Sequence, residues 1–477
     1  MALVIGSVAP TAAAAPAVAW HGCSTGPGDE LGAVLDEAGA ECGEVLVPVD
    51  HRRPRGRSIA VALARVRATD PAQRRGVLVV NPGGPGVPGM EQVLLEPFMP
   101  EVSRHYDIVG VDPRFVGRSG SPRCRWRTDT FLRSAGPDRA SFAESTALAR
   151  RLAEGCAADR DLLPHASTRE TARDLDAVRR ALGERRISYL GVSYGTYLGA
   201  VYLEMFGAHA DRFVLDSAVD PDAQGPALLR HNAPAIAAAL RSWANSPAAR
   251  PLGPNADTVL ALINRLAQTA TQRPLRVGEY TVDDHILPYL LFTGLYDDTP
   301  EAQADLATTV HTLNAAAHGT HVTPSPTLAA LLAGIHTGAG PAPDRTGTPI
   351  LCADRAASPD PGAYYRDIQA HRATEPLFGP LTRNITPCAF WPATPAEPPT
   401  TINTPIPALI VGAEGDPATP HAGQVAMHRA LTGSRMITLR ATARHGTYLA
   451  AGNTCVDTAV ENYLINGTLP TADHDCT

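Results

Sequence analysis

A sharp turn between a strand and a helix is encoded at residues 187–200. The run Ile187–Leu190 is typical of a buried strand, Gly191-Val192-Ser193-Tyr194-Gly195 follows it, and a helical pattern begins at Tyr194. The glycines on either side of Ser193 permit a turn that is too tight for larger side chains. This G-x-S-x-G pattern predicts a serine hydroxyl exposed at the end of a strand, with the N-terminus of a helix behind it.

Apolar, β-branched runs alternate with helical patterns in the first half of the chain. The predicted strands are Val45–Val49, Ile59–Val66, Val77–Val80, Ile108–Val111, Ile187–Leu190 and Phe213–Leu215. Helices are predicted at Ser167–Leu182 and at Tyr194–Met205, where apolar residues recur at helical spacing. Strands that alternate with helices indicate an α/β fold with a mostly parallel sheet that helices cover on both faces.

The pattern changes between residues 221 and 405. Helical segments replace the strands there, at Ala227–Trp243, Asn255–Ala270, Glu301–Ala317 and Thr327–His336. Strands return at Pro407–Gly412 and Met436–Leu439, and a last helix is predicted at Asp457–Ile465. We therefore predict a catalytic domain formed by residues 20–220 and 406–477, with a mainly helical cap, residues 221–405, inserted after the sixth strand.

Two later strands each lead into a loop that carries a residue suited to activating Ser193. Asp416 follows the strand at 407–412, and His445 follows the strand at 436–439 in a loop of small residues. A histidine can take the proton of the serine, while a carboxylate fixes its tautomer and stabilises its charged form. The order serine, acid, histidine is that of the α/β-hydrolase fold. We predict that Ser193, Asp416 and His445 form a catalytic triad.

Other residues compete for two of these roles. Glu414 lies two positions before Asp416, and Asp216 follows the strand after the nucleophile helix. His421 is the competing histidine, but it precedes a further strand and so lies at the wrong place for the base.

A glycine-rich loop directly follows the strand at 77–80. Its sequence is Asn81-Pro82-Gly83-Gly84-Pro85-Gly86, and no G-K-S/T follows that would indicate a phosphate-binding loop. In α/β-hydrolases this loop and the residue after the nucleophile each supply a backbone N–H to the oxyanion hole. The sequence therefore predicts that Tyr194 and this loop stabilise the oxyanion.

Composition limits the partners of the chain and suggests where it works. The formal net charge of −7 gives no reason to expect nucleic acid, and no stretch after residue 19 is apolar for long enough to span a membrane. Residues 1–19 are apolar and Ala/Pro-rich like a signal peptide without its positive region, which predicts secretion.

Eight cysteines, none in a C-x-x-C pair, favour disulfides over a zinc or redox site. Eight cysteines allow on the order of a hundred pairings. We expect pairing in chain order, because each bond then closes a local loop: Cys23–Cys42, Cys124–Cys156, Cys352–Cys388 and Cys455–Cys476.

Taken together, these motifs resemble the secreted bacterial tripeptidyl aminopeptidases, α/β-hydrolases related to the prolyl aminopeptidases. The resemblance covers nearly the whole chain after the leader. It rests on Asn81–Gly86, Asp112-Pro113-Arg114 with Gly117-Arg118-Ser119, Asp174–Arg179, Gly191–Thr196, Val214–Asp216, Cys352–Asp354 and the tail from Cys455 to Cys476. The resemblance implies the triad named above, with Gly83 and Tyr194 as oxyanion donors and a cap that admits short peptides.

Two positions depart from the family pattern near the expected substrate. Phe115 stands where the family usually has a glycine, and Val87-Pro88-Gly89 replaces smaller residues after the glycine-rich loop. We expect Gly84, Phe115 and Asp354 to contact the substrate. An aminopeptidase binds the ammonium group of its substrate with carboxylates, and six carboxylates of the cap are candidates: Asp283, Asp284, Asp297, Asp298, Glu301 and Asp354. Of these we expect Asp354 to bind the ammonium.

The resemblance implies a secreted serine exopeptidase that releases short N-terminal peptides through an acyl-enzyme, with no metal or cofactor. Its partner would be a peptide or a small acyl substrate. One alternative is an esterase, lactonase or amidase with the same triad acting on a small metabolite. The other is a non-catalytic binding protein on a hydrolase scaffold.

Overall fold

A nine-stranded sheet forms the centre of the part of the chain that the structure describes. The computed structural model describes residues 17–339 and 343–477, and for residues 343–345 only the backbone. The leader expected at 1–19 lies outside the described residues apart from its last three. The strands are β1 Glu41–Pro48, β2 Ser58–Val66, β3 Gly76–Asn81, β4 Tyr106–Val111, β5 Ile187–Val192, β6 Ala210–Asp216, β7 Leu275–Val277, β8 Tyr280–Val282, β9 Leu409–Ala413, β10 Arg435–Leu439 and β11 His474–Cys476.

The strand order in the sheet is β1-β2-β4-β3-β5-β6-β9-β10-β11. β1 and β2 pair antiparallel at one edge, β2 also pairs antiparallel with β4, and the remaining neighbours are parallel. Every residue of β3, β4 and β9 is buried, which explains why these strands are apolar apart from Asn81 at the end of β3 and Asp107 in β4. The expected mostly parallel sheet is confirmed.

Helices cover both faces of the sheet and fill the segment between β6 and β9. They are α1 Glu30–Glu37, α2 Pro100–His105, α3 Arg139–Gly155, α4 Thr168–Ala181, α5 Tyr194–Phe206, α6 Ala233–Ala244, α7 Ala256–Gln272, α8 Leu287–Thr293, α9 Pro300–Ala317, α10 Pro326–Thr337, α11 Pro343–Asp354, α12 Pro361–His371, α13 Gly379–Thr382, α14 His421–Ala430 and α15 Thr454–Asn466. Short 3₁₀ helices lie at Met90–Phe98, Gly117–Ser119, Ala157–Asp159, Leu163–His165, Gly207–His209, Pro247–Leu252 and Pro387–Phe390. No helix among the described residues is both long and apolar enough to cross a bilayer.

The two faces of the sheet form separate hydrophobic clusters. Val77 and Val79 of β3 pack on one side with α4 and α5, while Leu78 and Val80 pack on the other with α2 and α15. Alternate side chains of a strand point to opposite faces, so both faces of β3 are buried. The turn after β5, which carries Ser193, therefore rests on a sheet that is packed from both sides.

The segment between β6 and β9 has a hydrophobic core of its own. Ile236 of α6, Val259 of α7, Leu287 of α8 and Val310 of α9 belong to this separate cluster. The hairpin β7–β8 adds two short strands that the sequence analysis did not predict. The inserted segment is otherwise helical, as predicted.

Four disulfides join the cysteines in chain order. The bonded pairs are Cys23–Cys42, Cys124–Cys156, Cys352–Cys388 and Cys455–Cys476, the pairs expected from the sequence. Cys352–Cys388 lies within the inserted segment and fixes the C-terminal end of α11. Cys455–Cys476 ties α15 to the last strand, β11.

Candidate active site

Ser193 lies at the turn between β5 and α5 in a strained backbone conformation. Its φ of 58° and ψ of −125° are rare for a residue with a side chain. The turn is held by the Ser193 N–H, which donates to the Asp216 carbonyl at 2.9 Å. A Cβ atom at Gly191 would lie 2.5 Å from the Gly195 carbonyl oxygen, and one at Gly195 would lie 2.7 Å from the Asn81 carbonyl oxygen. Only glycine fits at both positions, which explains the G-x-S-x-G pattern.

The Asp416 carboxylate is hydrogen-bonded to the imidazole of His445. Nδ1 of His445 lies 2.9 Å from Oδ2 of Asp416 and 3.2 Å from Oδ1. Asp416 is fully buried, and it also accepts from the backbone N–H groups of Ala418 and Thr419 and from the Thr419 hydroxyl. These donors hold the carboxylate in place, so that it can fix the tautomer in which Nδ1 carries the proton.

Two opposing effects set the pKa of His445. Burial lowers the pKa, whereas the charge of Asp416 and its hydrogen bond raise it, and the net result lies above the ordinary value for histidine. The imidazole is therefore stabilised in its charged form, the form that a general base adopts after it has taken a proton.

The competing residues have other roles. Glu414 is exposed and pairs with Arg440 at 2.8 Å. His421 lies at the start of α14, where its Nε2 is 3.2 Å from the Thr438 hydroxyl. Neither contacts the His445 ring, so the geometry favours Asp416 and His445 among the alternatives weighed from the sequence.

Asp216, a candidate acid in the sequence analysis, instead anchors the histidine loop. Its buried carboxylate accepts from the backbone N–H groups of Thr447 and Tyr448, both at 2.8 Å, and from the Thr447 hydroxyl at 2.9 Å. The neighbouring Ser217 hydroxyl accepts from the Gly446 N–H at 2.8 Å. Because the Asp216 carbonyl also binds the Ser193 N–H, the end of β6 positions both loops.

The glycine-rich loop lies against the nucleophile turn. A Cβ atom at Gly83 would lie 2.9 Å from the Ser193 Cβ and 3.2 Å from the Tyr194 nitrogen. However, the Gly83 N–H donates to Oδ1 of Asn81 at 3.1 Å. The Gly83 N–H is thus already engaged, whereas the next residue, Gly84, lines the cavity that contains Ser193. These contacts favour Gly84 over Gly83 as the candidate donor in this loop.

Ser193 and His445 line one cavity of about 350 Å³, a volume within the range of small-ligand sites. Its walls come from the glycine-rich loop, from residues 131–133 and from the inserted segment. The apolar lining includes Phe131, Leu228, Leu229, Leu351, Leu381 and Ile385, and the polar lining includes Arg133, Tyr289, Thr293, Asn384 and Thr386. The arrangement suits attack by a serine on an acyl group in a mostly apolar, enclosed pocket.

Comparison with known proteins identifies the family. The family described as TAP-like protein matches residues 375–476, and the alpha/beta hydrolase fold matches residues 76–289. A tripeptidyl aminopeptidase from Streptomyces lividans is 33% identical over 459 residues, which cover 91% of this chain and 83% of that protein. The chain belongs to the tripeptidyl aminopeptidase-like family of α/β-hydrolases. It is a serine hydrolase, and the expectation of a serine exopeptidase is confirmed at the level of the family.

Other members of the family carry different names. Serine protease Hip1 from Mycobacterium tuberculosis is 30% identical over 478 residues, which cover 92% of this chain and 87% of that protein. A protein from the same species named carboxylesterase B is 32% identical over 512 residues, covering 97% of this chain and 90% of that protein. Among solved structures, a proline iminopeptidase-related protein from Thermus thermophilus aligns with a TM-score of 0.39 at 16% identity, covering 88% of this chain and 97% of that one.

Phe115 does not line the cavity, contrary to expectation. It is buried with Val49, Leu162, Ala166 and Ala353 in a separate cluster, and its φ is 66°. A positive φ is the reason that a glycine suits this position. The aromatic side chain therefore packs in the core and not in the lining of the cavity that contains Ser193.

Asp354 also lies outside the cavity lining. Its buried carboxylate accepts from the Thr168 N–H at 2.7 Å, the Thr168 hydroxyl at 2.6 Å and the Gln224 amide at 3.2 Å. The Thr168 hydroxyl lies 2.7 Å from the Tyr194 hydroxyl. Burial raises the pKa of Asp354 to about 6. The expectation that Asp354 binds a substrate ammonium is wrong, because its oxygens are engaged behind the nucleophile helix.

Helix α11 supports both sides of the site. The Thr346 hydroxyl donates to the Gly86 carbonyl at 2.7 Å. A Cβ atom at Gly347 would lie 2.0 Å from the Pro85 carbonyl oxygen. Asp354, at the other end of the same helix, reaches Tyr194 through Thr168. One helix of the inserted segment therefore braces the glycine-rich loop and the residue that follows the nucleophile.

The remaining carboxylates proposed for ammonium binding do not line the cavity. Asp297 and Asp298 pair with Arg444, at 2.8 and 2.9 Å, and so tie the histidine loop to the inserted segment. Asp283 accepts from backbone N–H groups before α8. Asp284 and Glu301 do not line it either, so no carboxylate lines this cavity among residues 17–339 and 346–477.

Two groups of side chains have the spacing of metal ligands. Ligand atoms of Asp50, His165 and Glu170 lie within 4.8 Å of one another. However, Arg52 and Arg173 already pair with the two acids, at 3.0 and 3.2 Å. The other group contains both cysteines of the last disulfide, whose sulfurs are already bonded. Neither group offers a set of free ligands.

Proposed function

We propose that this chain is an exopeptidase in which Ser193, His445 and Asp416 form the catalytic triad. Oγ of Ser193 attacks the scissile carbonyl carbon while Nε2 of His445 takes the hydroxyl proton. Asp416 keeps the proton on Nδ1 and stabilises the imidazolium. The observation that carries this proposal is the buried Asp416–His445 pair, whose imidazole faces the same cavity as the strained Ser193.

The tetrahedral oxyanion is bound by two backbone N–H groups. The Tyr194 N–H lies at the N-terminus of α5, where the helix dipole also favours negative charge. The second donor is the N–H of Gly84, because the Gly83 N–H is bound to Asn81. Donors fixed in this way stabilise the charge without reorganisation, which is the main electrostatic contribution in acyl transfer.

His445 then returns its proton to the departing amine, and the C–N bond breaks to leave an ester on Ser193. Water attacks this acyl-enzyme with His445 again as the base, which releases the peptide acid and restores the serine. The inserted segment acts as a cap, residues 221–405, that closes over the cavity and limits the length of the released fragment. We propose a short peptide, such as a tripeptide, as that fragment.

The chain works outside the cytoplasm in this proposal. Four disulfides are formed, and disulfides persist in oxidising compartments. The apolar, Ala/Pro-rich sequence at residues 1–19 supports secretion.

A second function uses the same residues on an ester. The relative named carboxylesterase B, at 32% identity, favours it, and so does the mostly apolar cavity. An ester needs no protonated amine as a leaving group, so it makes a smaller demand on His445 as an acid. The remaining alternatives are a lactone, an amide of a small metabolite, and a ligand that is bound but not cleaved. The test described next compares peptides with esters and also bears on these alternatives.

The test is a cleavage profile of the purified protein on a peptide library, read by mass spectrometry, beside a panel of p-nitrophenyl esters. We expect release of short N-terminal fragments, faster turnover of peptides than of esters, and loss of both in Ser193→Ala. The control Ser121→Ala replaces an exposed serine outside the cavity and should retain full activity. Cleavage of esters alone would contradict the peptidase proposal, and full activity of Ser193→Ala would contradict the triad.

A further inference from the structure

A second cavity adjoins the catalytic one. Its volume is about 230 Å³. Pro226, Thr382 and Asn384 line both cavities, so the two share a wall. The second cavity therefore borders the one that contains Ser193.

Arginines line both cavities. Arg133 belongs to the catalytic cavity, and Arg230, Arg355 and Arg383 belong to the adjoining one. Arg383 is already paired, because Glu375 accepts from its Nε at 2.8 Å and from its Nη2 at 3.0 Å.

In the described part of the chain, two of these arginines form no ion pair, although the charges of Asp283 and Asp129 act on Arg133 from a greater distance. Among the described residues, no carboxylate oxygen lies within 4.0 Å of the guanidinium of Arg133 or of Arg355. The Arg355 Nε donates only to the Gln224 carbonyl, at 3.1 Å, and the Arg133 Nη2 to the Ile335 carbonyl, also at 3.1 Å. Nε of Arg133 is buried without a hydrogen-bond partner. A buried N–H donor without an acceptor is costly, so a ligand that supplies an acceptor to Nε of Arg133 would be stabilised there.

The acidic lining does not balance these charges. Asp367 is the single carboxylate that lines the two cavities within residues 17–339 and 346–477. It is already engaged, with Arg230 at 3.2 Å and Arg383 at 3.3 Å. The hydroxyl of Thr386 in the catalytic cavity is also buried without a partner and can donate a hydrogen bond. The unsatisfied groups of the site are therefore cations and donors, which suit an anion.

We propose that the site selects acidic peptides, in which a carboxylate side chain near the scissile bond binds Arg133 or Arg355. This inference rests on the proposed peptidase function and names its substrate class. A carboxylate matches the planar guanidinium and forms charge-assisted hydrogen bonds with it, which are stronger than neutral ones.

Arg133 also has a structural contact, which the test has to separate from binding. Its bond to Ile335 reaches the last turn of α10, so removing the side chain can loosen that helix end. A structural role alone would lower the rates for acidic and neutral substrates by the same factor. A binding role changes the ratio between them.

The experiment compares fluorogenic peptides that differ only by Glu or Gln, placed in turn at the three positions before the scissile bond and at the first position after it. The two side chains have the same shape, so the ratio of kcat/KM reports charge. We expect Glu to be preferred about tenfold or more at one position at least, and the preference to shrink as NaCl rises from 50 to about 500 mM. Arg133→Gln and Arg355→Gln are each compared with Arg265→Gln, an exposed arginine on α7.

We expect the preference for Glu to fall toward 1 in Arg133→Gln or in Arg355→Gln and to stay unchanged in Arg265→Gln. Equal rates for Glu and Gln at every position in the wild type would overturn the inference while leaving the peptidase function intact. A preference that survives both variants and high salt would overturn it too. No cleavage of any peptide in the series would instead overturn the proposed function, and this inference with it.

Discussion

Replacing Asp354 by Asn should change how the stability of the protein depends on pH. The carboxyl group is buried and lies beside no cation within 4 Å among the described residues, and it accepts hydrogen bonds from Thr168 and Gln224. Burial raises its pKa from the ordinary 3.8 of an aspartic acid to about 6, although these hydrogen bonds oppose the change. The folded state therefore disfavours the charged form.

The direction and the size of the change in stability with pH follow from this difference in pKa between the folded and the unfolded chain. Below about pH 4 the carboxyl is protonated in both the folded and the unfolded chain, so its ionisation does not lower the stability of the folded state. Above about pH 6 it is ionised in both, and the folded state bears the full cost. A difference of about 2 pH units, at about 1.4 kcal/mol each, corresponds to about 3 kcal/mol. The wild type should lose this stability as pH rises from 4 to 6, whereas Asp354→Asn, which stays neutral, should not.

The assay is the melting temperature of the two proteins, with disulfides intact, at pH 4, 5, 6 and 7. An unfolding entropy of about 2 cal/mol/K per residue gives roughly 1 kcal/mol/K for a chain of this length, so Asp354→Asn should gain about 3 °C on the wild type between pH 4 and 7. Asp257→Asn, at an exposed aspartate of α7, is the control and should show no such trend. A difference between Asp354→Asn and the wild type that is constant with pH would refute the reasoning.

Three further predictions concern the chemistry. Asp416→Asn should lower kcat by on the order of 10³–10⁴-fold with little change in KM, because the amide favours the wrong tautomer of His445. A loss of kcat below tenfold in steady-state assays would show that another group orients the imidazole. Thr168→Val removes the hydroxyl that joins Asp354 to Tyr194 and should lower kcat about tenfold at unchanged KM. Thr168→Ser keeps a hydroxyl and should retain the wild-type kcat. Equal losses of kcat in both variants would show that the packing of the Thr168 methyl group matters, and not the hydrogen bonds. The value of kcat/KM should fall at acid pH with a midpoint above about pH 6.5, since Asp416 raises the pKa of His445 and only the neutral imidazole acts as the base. A midpoint well below that pH would contradict the pairing of His445 with Asp416.

Much of the fold could be predicted because its signals are local. The strands at the centre of the sheet are continuous apolar, β-branched runs, as in β3 and β9, and such runs are buried on both faces. Ser193 is marked by the two glycines that its turn requires. Asp416 and His445 could be found because parallel strands deliver their loops to the same edge of the sheet, where the chain order of the three residues matters.

The errors arise where function depends on backbone geometry or on distant contacts. Gly84 is proposed instead of Gly83 as the oxyanion donor because the Asn81 side chain accepts a hydrogen bond from the Gly83 N–H. The sequence places Phe115 beside the substrate because it replaces a glycine, but its positive φ turns the ring into the core. Helix α3 could not be predicted, because its small and charged residues give a weak apolar pattern.

The roles of buried carboxylates were also beyond local reasoning. Asp216 and Asp354 are each followed by small or polar residues that carry no signal of their partners. The partners of Asp216 are Thr447 and Tyr448, more than 200 residues away in the chain, and those of Asp354 are Thr168 and Gln224. A signal was present for Asp216, which ends β6 at the edge where the triad assembles.

The central claim is that Ser193 is the nucleophile, and covalent labelling tests it most directly. The purified protein is treated with a fluorophosphonate probe, digested and sequenced by mass spectrometry, with Asp416→Asn and Ser121→Ala labelled in parallel. We predict one adduct, on Ser193, with slower labelling in Asp416→Asn, unchanged labelling in Ser121→Ala and none in Ser193→Ala. An adduct on a different residue, or labelling of Ser193→Ala at the rate of the wild type, would contradict the claim.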